Sequence, residues 1–209
     1  TSLRHGCRVL EIGTGSGILT RAIVESLPET HGMRFVATDI DPQAVKDAGT
    51  NLSGFSGVEV RRGRSFEPIR PNEFFDVIIS NPPWYDAQNA TGRGGSAMVD
   101  KDRQTIREIV AGSTTHLSPG GRLFIIYPRE FVWVLEGLAE DFNMALRYVD
   151  YYKTKKGGVG LYEFTVADGS GMRPFLPKID IAKLKERSAS GYMQSFSGVR
   201  YSGMGTDSQ

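Results

Sequence analysis

A repeated alternation of short β-branched runs with segments of helical spacing constrains this chain more than any other feature. "RVLEIG" (8–13) reads as a buried strand, and "GILTRAIVESLP" follows as a helix with Ile18, Ala22, Ile23 and Leu27 on one face. "RFVATD" (34–39) is a second strand, and "DPQAVKDAGTNL" a second helix, with Asp41 as N-cap and Pro42 in its first position. "VEVRRG" is a third, weaker strand nearer an edge, and "FDVIIS" (75–80), the most apolar, belongs at the sheet centre. A Gly-rich loop, "NATGRGGSAM", precedes a helix over roughly 101–117. "LSPGG" then reads as a turn before the strand "RLFIIYP". A helix near 130–141, with Trp133 packing on the sheet, leads to "ALRYVDYYK" and "VGLYEFTV", a hairpin joined by "TKKGG". The pattern predicts an α/β fold: a seven-stranded, mostly parallel sheet with helices on both faces and a terminal antiparallel hairpin. Residues 1–167 form the expected domain, and 168–209 a Gly/Ser-rich tail with one short helix at "IDIAKLKER".

The loop "EIGTGSG" leaves a strand and opens a helix, where glycines let a ligand approach the backbone. A dinucleotide fold is the obvious alternative. Its fingerprint needs a third glycine at position 18, which here is Ile18, and Gly13, Gly15 and Gly17 make G-x-G-x-G instead. Glu11 is also foreign to that fingerprint. Asp39 closes the second strand about twenty residues on, where a carboxylate can accept from both hydroxyls of a ribose. Together these residues describe a pocket for an adenosine without a pyrophosphate.

At the end of the fourth strand stands "SNPPWYD" (80–86). An amine or carboxamide nitrogen conjugated to a π system is a poor nucleophile. Two acceptors on its N–H groups localise the lone pair and aim it. The Asn81 side-chain oxygen is one acceptor. The Pro82 carbonyl is the other, freed because Pro83 ends any regular ladder. Trp84 and Tyr85 are placed to stack on a planar substrate. No strong general base is needed, because the proton can leave after transfer.

"LEIGTGSG" and "ATDIDPQA" resemble the first two motifs of the class I S-adenosylmethionine-dependent methyltransferases, and the resemblance covers roughly residues 7–167. "NPPWY" resembles the [N/D/S]-P-P-[Y/F/W] motif of the members that methylate amino groups. The resemblance implies cofactor contacts from Glu11, Gly13, Thr14, Gly15, Gly17, Asp39, Ile40, Ser65 and Asn81. It implies catalysis by Asn81, Pro82, Pro83 and Trp84, substrate stacking on Trp84 and Tyr85, and in-line transfer without metal. "GRSFEPI" (63–69) looks like the HemK-type release-factor glutamine methyltransferases, which makes a protein glutamine the first target. Adenine-N6 methyltransferases of RNA or DNA carry the same motifs, so nucleic acid is the alternative partner. Arg64 stands where both branches carry an Asp that receives the cofactor's adenine amino group. That hydrogen bond is then expected from Ser65, a backbone carbonyl or water.

The remaining features narrow the class. The net charge of +1 gives no global pull toward nucleic acid or membrane, and Cys7, the single cysteine, permits no intrachain disulfide. No apolar run approaches a membrane span and no signal peptide is evident, so a cytoplasmic enzyme is expected. The sequence opens at Thr1, so a fragment or processed chain is expected, lacking the segment that precedes the first strand in the family. A cofactor-binding subunit that needs a partner for activity is the reading this leaves open beside the enzyme. His5, His31 and His116 have no metal-ligand spacing. The basic runs "RRGR" and "KTKK" read first as a solvated strand end and hairpin tip, with contact to RNA phosphates as the alternative, and "DKDR" (100–103) as a solvated helix start, with approach to substrate as the alternative.

Overall fold

The computed structural model describes residues 6–26, 32–84, 103–154 and 157–166. Tyr85, the Gly-rich loop that follows it, Leu27, His5, His31 and the segment 168–209 lie outside the described residues.

Seven strands form one sheet in the order β3-β2-β1-β4-β5-β7-β6. They are β1 (Arg8–Ile12), β2 (Arg34–Asp39), β3 (Val58–Arg62), β4 (Phe75–Ser80), β5 (Leu117–Pro128), β6 (Met144–Thr154) and β7 (Gly157–Val166). The first five run parallel, and β7 pairs antiparallel with both β5 and β6. The helices are α1 (Ile18–Ser26), α2 (Pro42–Leu52), α3 (Gln104–His116) and α4 (Val132–Asp141). β4 stands at the middle of the sheet, and β3 at an edge, as their apolar content leads one to expect.

Parallel strands covered on both faces must be apolar on both faces, because successive side chains point to opposite sides. On β1, Leu10 and Ile12 face the larger core with α3 and α4, together with Ile78, Leu123, Ile125, Ile106 and Leu135. Val9 faces the other core, with Ile23 and Val24 of α1, Phe35 and Val77. α2 adds Ala48 and Leu52 against Ala37 of β2. Its start is as expected, with Asp41 accepting from Gln43 N at 2.8 Å and Pro42 in the first turn. Cys7 is a buried apolar side chain.

Two expectations are corrected. "LSPGG" lies inside β5 rather than before it. Phe75 pairs with Leu117 and Val77 with Arg122, so the intervening residues of β5 bulge out of register. Gly121 makes this possible, since a Cβ there would stand 2.8 Å from Ser118 O and 3.0 Å from Phe75 O. Trp133 does not pack on the sheet. α4 buries Val134, Leu135, Leu138 and Ala139, which turns Trp133 outward at 60% exposure.

Candidate active site

The register of three central strands assembles the site. Ile12 pairs with Thr38 on one side and with Ser80 on the other. Asp39, which ends β2, and Gly13 and Asn81, the first residues beyond β1 and β4, therefore leave three neighbouring strands in a row, from strands about 4.8 Å apart. The row lies at the carboxyl ends of the strands, where the sheet order reverses between β1 and β4. Ligands of open α/β sheets bind at that kind of switch point.

Between β1 and α1 the chain turns through three glycines in the left-handed region, Gly13, Gly15 and Gly17 (φ 75°, 55° and 83°). Gly17 has a second reason. A Cβ there would meet Leu52 Cδ1 at 2.9 Å and Ala48 Cα at 3.3 Å, so its bare backbone lets α1 approach α2. Glu11, 4% exposed, braces the turn from beneath. Its Oε2 accepts from Thr14 Oγ1 at 2.7 Å, from Thr20 N at 3.1 Å, and from Thr20 Oγ1. One carboxylate thus ties the turn to the first helical residues beyond it. Burial pushes its pKa up to about 7, with hydrogen bonds from Thr20 and Thr14 opposing and nearby Asp39 adding to the rise. Thr20 was not legible as a site residue, although a Thr in the first turn of the helix after a buried Glu was the available signal.

Asp39 Oδ2 accepts from Gly15 N at 2.8 Å and Oδ1 from Asp41 N at 3.0 Å. A carboxylate offers about four acceptor sites, so capacity for two hydroxyls remains. Asp41 itself caps α2. Ile40, beside Asp39, is 58% exposed and presents an apolar surface at the same corner. Gly13 N and Thr14 N both donate to Thr38 O at 2.9 Å, which pins the turn to β2.

The loop after β3 carries Arg64 and Ser65. The Arg64 guanidinium turns to α3, donating from Nε to Glu108 Oε2 at 2.9 Å and from Nη2 to Oε1 at 3.1 Å. Glu108, 44 residues away, is a partner that spacing could not reveal. Ser65 adopts φ 49°, and its buried Oγ has no hydrogen-bond partner. An unpaired buried hydroxyl is costly, so this atom fits a polar ligand group. Phe66 packs against Gly112, where a Cβ would come within 2.2 Å of its ring, and stacks on His116 at 5.0 Å. His116 also sits with Nδ1 2.9 Å from Glu73 O, a structural contact. Arg61 of the "RRGR" run pairs with Glu59 and Glu73 and is structural too.

After β4, Asn81 is exposed, Pro82 is buried, and Pro83 and Trp84 are half-buried, with Trp84 packed against the larger core. Trp84 Nε1 donates to Asn81 Oδ1 at 3.1 Å. Ser80 Oγ donates to Ile12 O at 2.8 Å, which locks β4 to β1 directly beneath the two site residues. Among the described residues no group of three or more His, Cys, Asp or Glu is arranged to hold a metal. None of the described helices is long and apolar enough to cross a membrane.

Sheet order, switch-point glycine turn and acidic second strand define a class I methyltransferase fold. A solved methyltransferase from Pyrococcus furiosus shares it, with a TM-score of 0.58 at 22% identity, covering 79% of this chain and 78% of that one. The chain belongs to the methyltransferase small domain family, whose model matches residues 2–148. It is 32% identical over 135 residues to the release factor glutamine methyltransferase of Gloeobacter violaceus, covering 56% of this chain and 44% of that protein. It is 30% identical over 129 residues to a tRNA1(Val) (adenine(37)-N6)-methyltransferase of Porphyromonas gingivalis, covering 58% of this chain and 49% of that protein. The chain therefore spans about half the length of the curated relatives it matches.

Proposed function

We propose that this chain is an S-adenosylmethionine-dependent N-methyltransferase whose target is a planar amide or exocyclic amino nitrogen. The observation that carries the reading is the register of Ile12 with Ser80, which brings their successors, Gly13 and Asn81, out at the same end of the β1–β4 pair. A cofactor lying over the glycine turn then stands one strand spacing from the acceptors that would orient the nitrogen.

The residues present fit that cofactor. Asp39 retains acceptor sites for the ribose hydroxyls, Ile40 offers an apolar surface to the adenine, and the unpartnered Ser65 Oγ replaces the missing Asp as its polar contact. Gly13, Thr14, Gly15 and Gly17 form the cradle, and Glu11 acts through the turn it braces. When bound, S-adenosylmethionine supplies an electrophilic methyl group on a sulfonium. The chain's part is positioning. The Asn81 Oδ1 accepts one N–H of the target, and the Pro82 carbonyl a second. Pro83 keeps both acceptors from relaxing, because the ring fixes its φ. Trp84, with Tyr85 from the sequence, stacks on the substrate plane. Its indole N–H already holds the Asn81 oxygen, so substrate arrival replaces an intramotif hydrogen bond rather than stripping a free acceptor of water.

Two targets suit these acceptors. A glutamine carboxamide in a release-factor-like protein is supported by the "GRSFEPI" segment and the glutamine methyltransferase relatives. An adenine amino group in RNA is supported by the tRNA adenine-N6 methyltransferase relatives. Residues 1–167 carry the chemistry in this reading, with 168–209 as an appended tail. A labelled-methyl assay on release factor and on RNA, with wild type and Asn81→Ala, tests the reaction. Transfer that survives the substitution undiminished would refute the placement of Asn81.

A further inference from the structure

The proposed chemistry uses one corner of the sheet end. Ser80 on β4 is level with Ile125 on β5, and β5 runs on to Pro128 before turning into Arg129. β7 and β6 rise beside it, since Pro128 pairs with Val159 and Val159 with Tyr152. These three strands make a wall that stands about 10 Å above the level of Ser80, with its far strand roughly 15 Å to the side.

The crest of this wall combines rings with two arginines that form no ion pair among the described residues. The Arg129 guanidinium lies 5.1 Å from the Tyr151 ring centroid. Arg103, just before α3, lies 5.0 Å from Phe131 and 4.5 Å from Trp133. Trp133 is 60% exposed and Tyr151 39%. Arg107 also sits on a ring, Phe142, but pairs with Asp141. Neither Arg103 nor Arg129 forms an ion pair among the described residues. In the sequence, the acidic Glu130 stands beside Arg129 and Asp150 beside Tyr151. Asp150 alternates with Tyr151 and so lies on the opposite face of β6.

Guanidinium groups stacked beside exposed rings match a polymer that carries both phosphates and free base faces. An acidic protein would satisfy the charges and leave the rings idle. A duplex would offer phosphates with its base faces already stacked. We infer that this crest binds single-stranded RNA flanking the methylated nucleotide, with Trp133 and Tyr151 stacking on bases and Arg103 and Arg129 holding phosphates. The inference rests on the N-methyltransferase reading and takes its adenine branch.

The test is fluorescence anisotropy of a short fluorescein-labelled oligoadenylate RNA titrated with the full chain, over a range of salt. Arg129→Ala should weaken binding about tenfold and reduce the log–log salt slope by about one, the signature of a lost phosphate contact. Trp133→Ala should weaken it by about 5- to 100-fold with the slope unchanged, and Trp133→Phe should recover most of the loss. Calorimetric titration of S-adenosylmethionine should be the same in all of these proteins. RNA binding that both alanine variants retain in full would overturn the inference, as would wild type that ignores RNA at low salt. It would also be overturned if the variants impaired methylation of a glutamine-bearing release-factor peptide instead, since the crest would then dock protein. If wild type fails to take up S-adenosylmethionine while RNA binding still depends on Arg129 and Trp133, the enzyme reading falls and the RNA surface stands.

Discussion

Glu11→Gln should change how folding stability depends on pH. Two opposed effects meet at this carboxylate. Hydrogen bonds from Thr14 and Thr20 favour the ionised form, whereas burial at 4% exposure disfavours it, and burial is the larger. The pKa is accordingly raised from 4.5 to about 7. A folded-state pKa above the unfolded one means that the native protein binds the proton more tightly. The resulting stabilisation is complete below about pH 4.5 and is lost as pH rises through 7. A shift of this size corresponds to about 3 kcal/mol across that window. Glu73 works in a separate window and with the opposite sign. Hydrogen bonds from Arg61 hold its pKa down to about 2, so its contribution is present above pH 4.5 and disappears on further acidification. The assay is urea unfolding of wild type and Glu11→Gln at a series of pH values from 4 to 8. Glutamine keeps an acceptor for the two threonines and cannot titrate. The wild type should lose about 3 kcal/mol relative to the variant between the ends of the series. A difference that stays flat, or that moves in favour of wild type as pH rises, would refute the claim that desolvation outweighs the threonine hydrogen bonds.

Asn81→Ala should lower kcat by about 100- to 1000-fold, the usual cost of removing one preorganised polar group from a reacting centre, while S-adenosylmethionine affinity in calorimetry falls by no more than about tenfold, one hydrogen bond. Gly17→Ala should cost about 2–4 kcal/mol in urea unfolding, because a Cβ would face both a left-handed φ and a 2.9 Å contact with Leu52. Ser65→Ala should weaken S-adenosylmethionine binding by about 5- to 10-fold, one hydrogen bond, without lowering stability, since it deletes a buried hydroxyl that has no partner. Arg64→Ala should change stability by at most about 1 kcal/mol, because both members of its pair with Glu108 are partly exposed.

The sheet was legible because its information is local. Each strand carries its own apolar run, and the order of runs and helices leaves few right-handed topologies. The features that resisted reading all depend on a partner distant in sequence. The missing Asp at position 64 could be seen, but Glu108 receiving the arginine that replaced it could not. Trp133 looked like one more core aromatic on an amphipathic helix. Its outward position follows from the burial of Val134, Leu135, Leu138 and Ala139, and the guanidinium beside it comes from Arg103 at the start of another helix. "LSPGG" has the residues of a turn wherever it lies, and composition cannot distinguish a loop from a bulge that the sheet absorbs.

The candidate site shows how motifs become a site. Asp39, Gly13 and Asn81 belong to three sequence segments, and nothing within any one of them says that they are neighbours. Register does. Thr38 beside Ile12, and Ile12 beside Ser80, make their successors a row, and the parallel direction of all three strands puts that row on one edge. Had β4 run antiparallel to β1, Asn81 would stand at the opposite end of the sheet from the glycine turn. The same residues would then carry no shared chemistry. The hydrogen bond from Ser80 Oγ to Ile12 O fixes this relation one residue below the row, inside a 0% exposed position. Loss of that hydroxyl should therefore reach activity through geometry. Ser80→Ala should lower kcat while leaving the salt dependence of RNA binding untouched, whereas a slip that altered both would mean that β4 and the β5–β7–β6 wall move as one body.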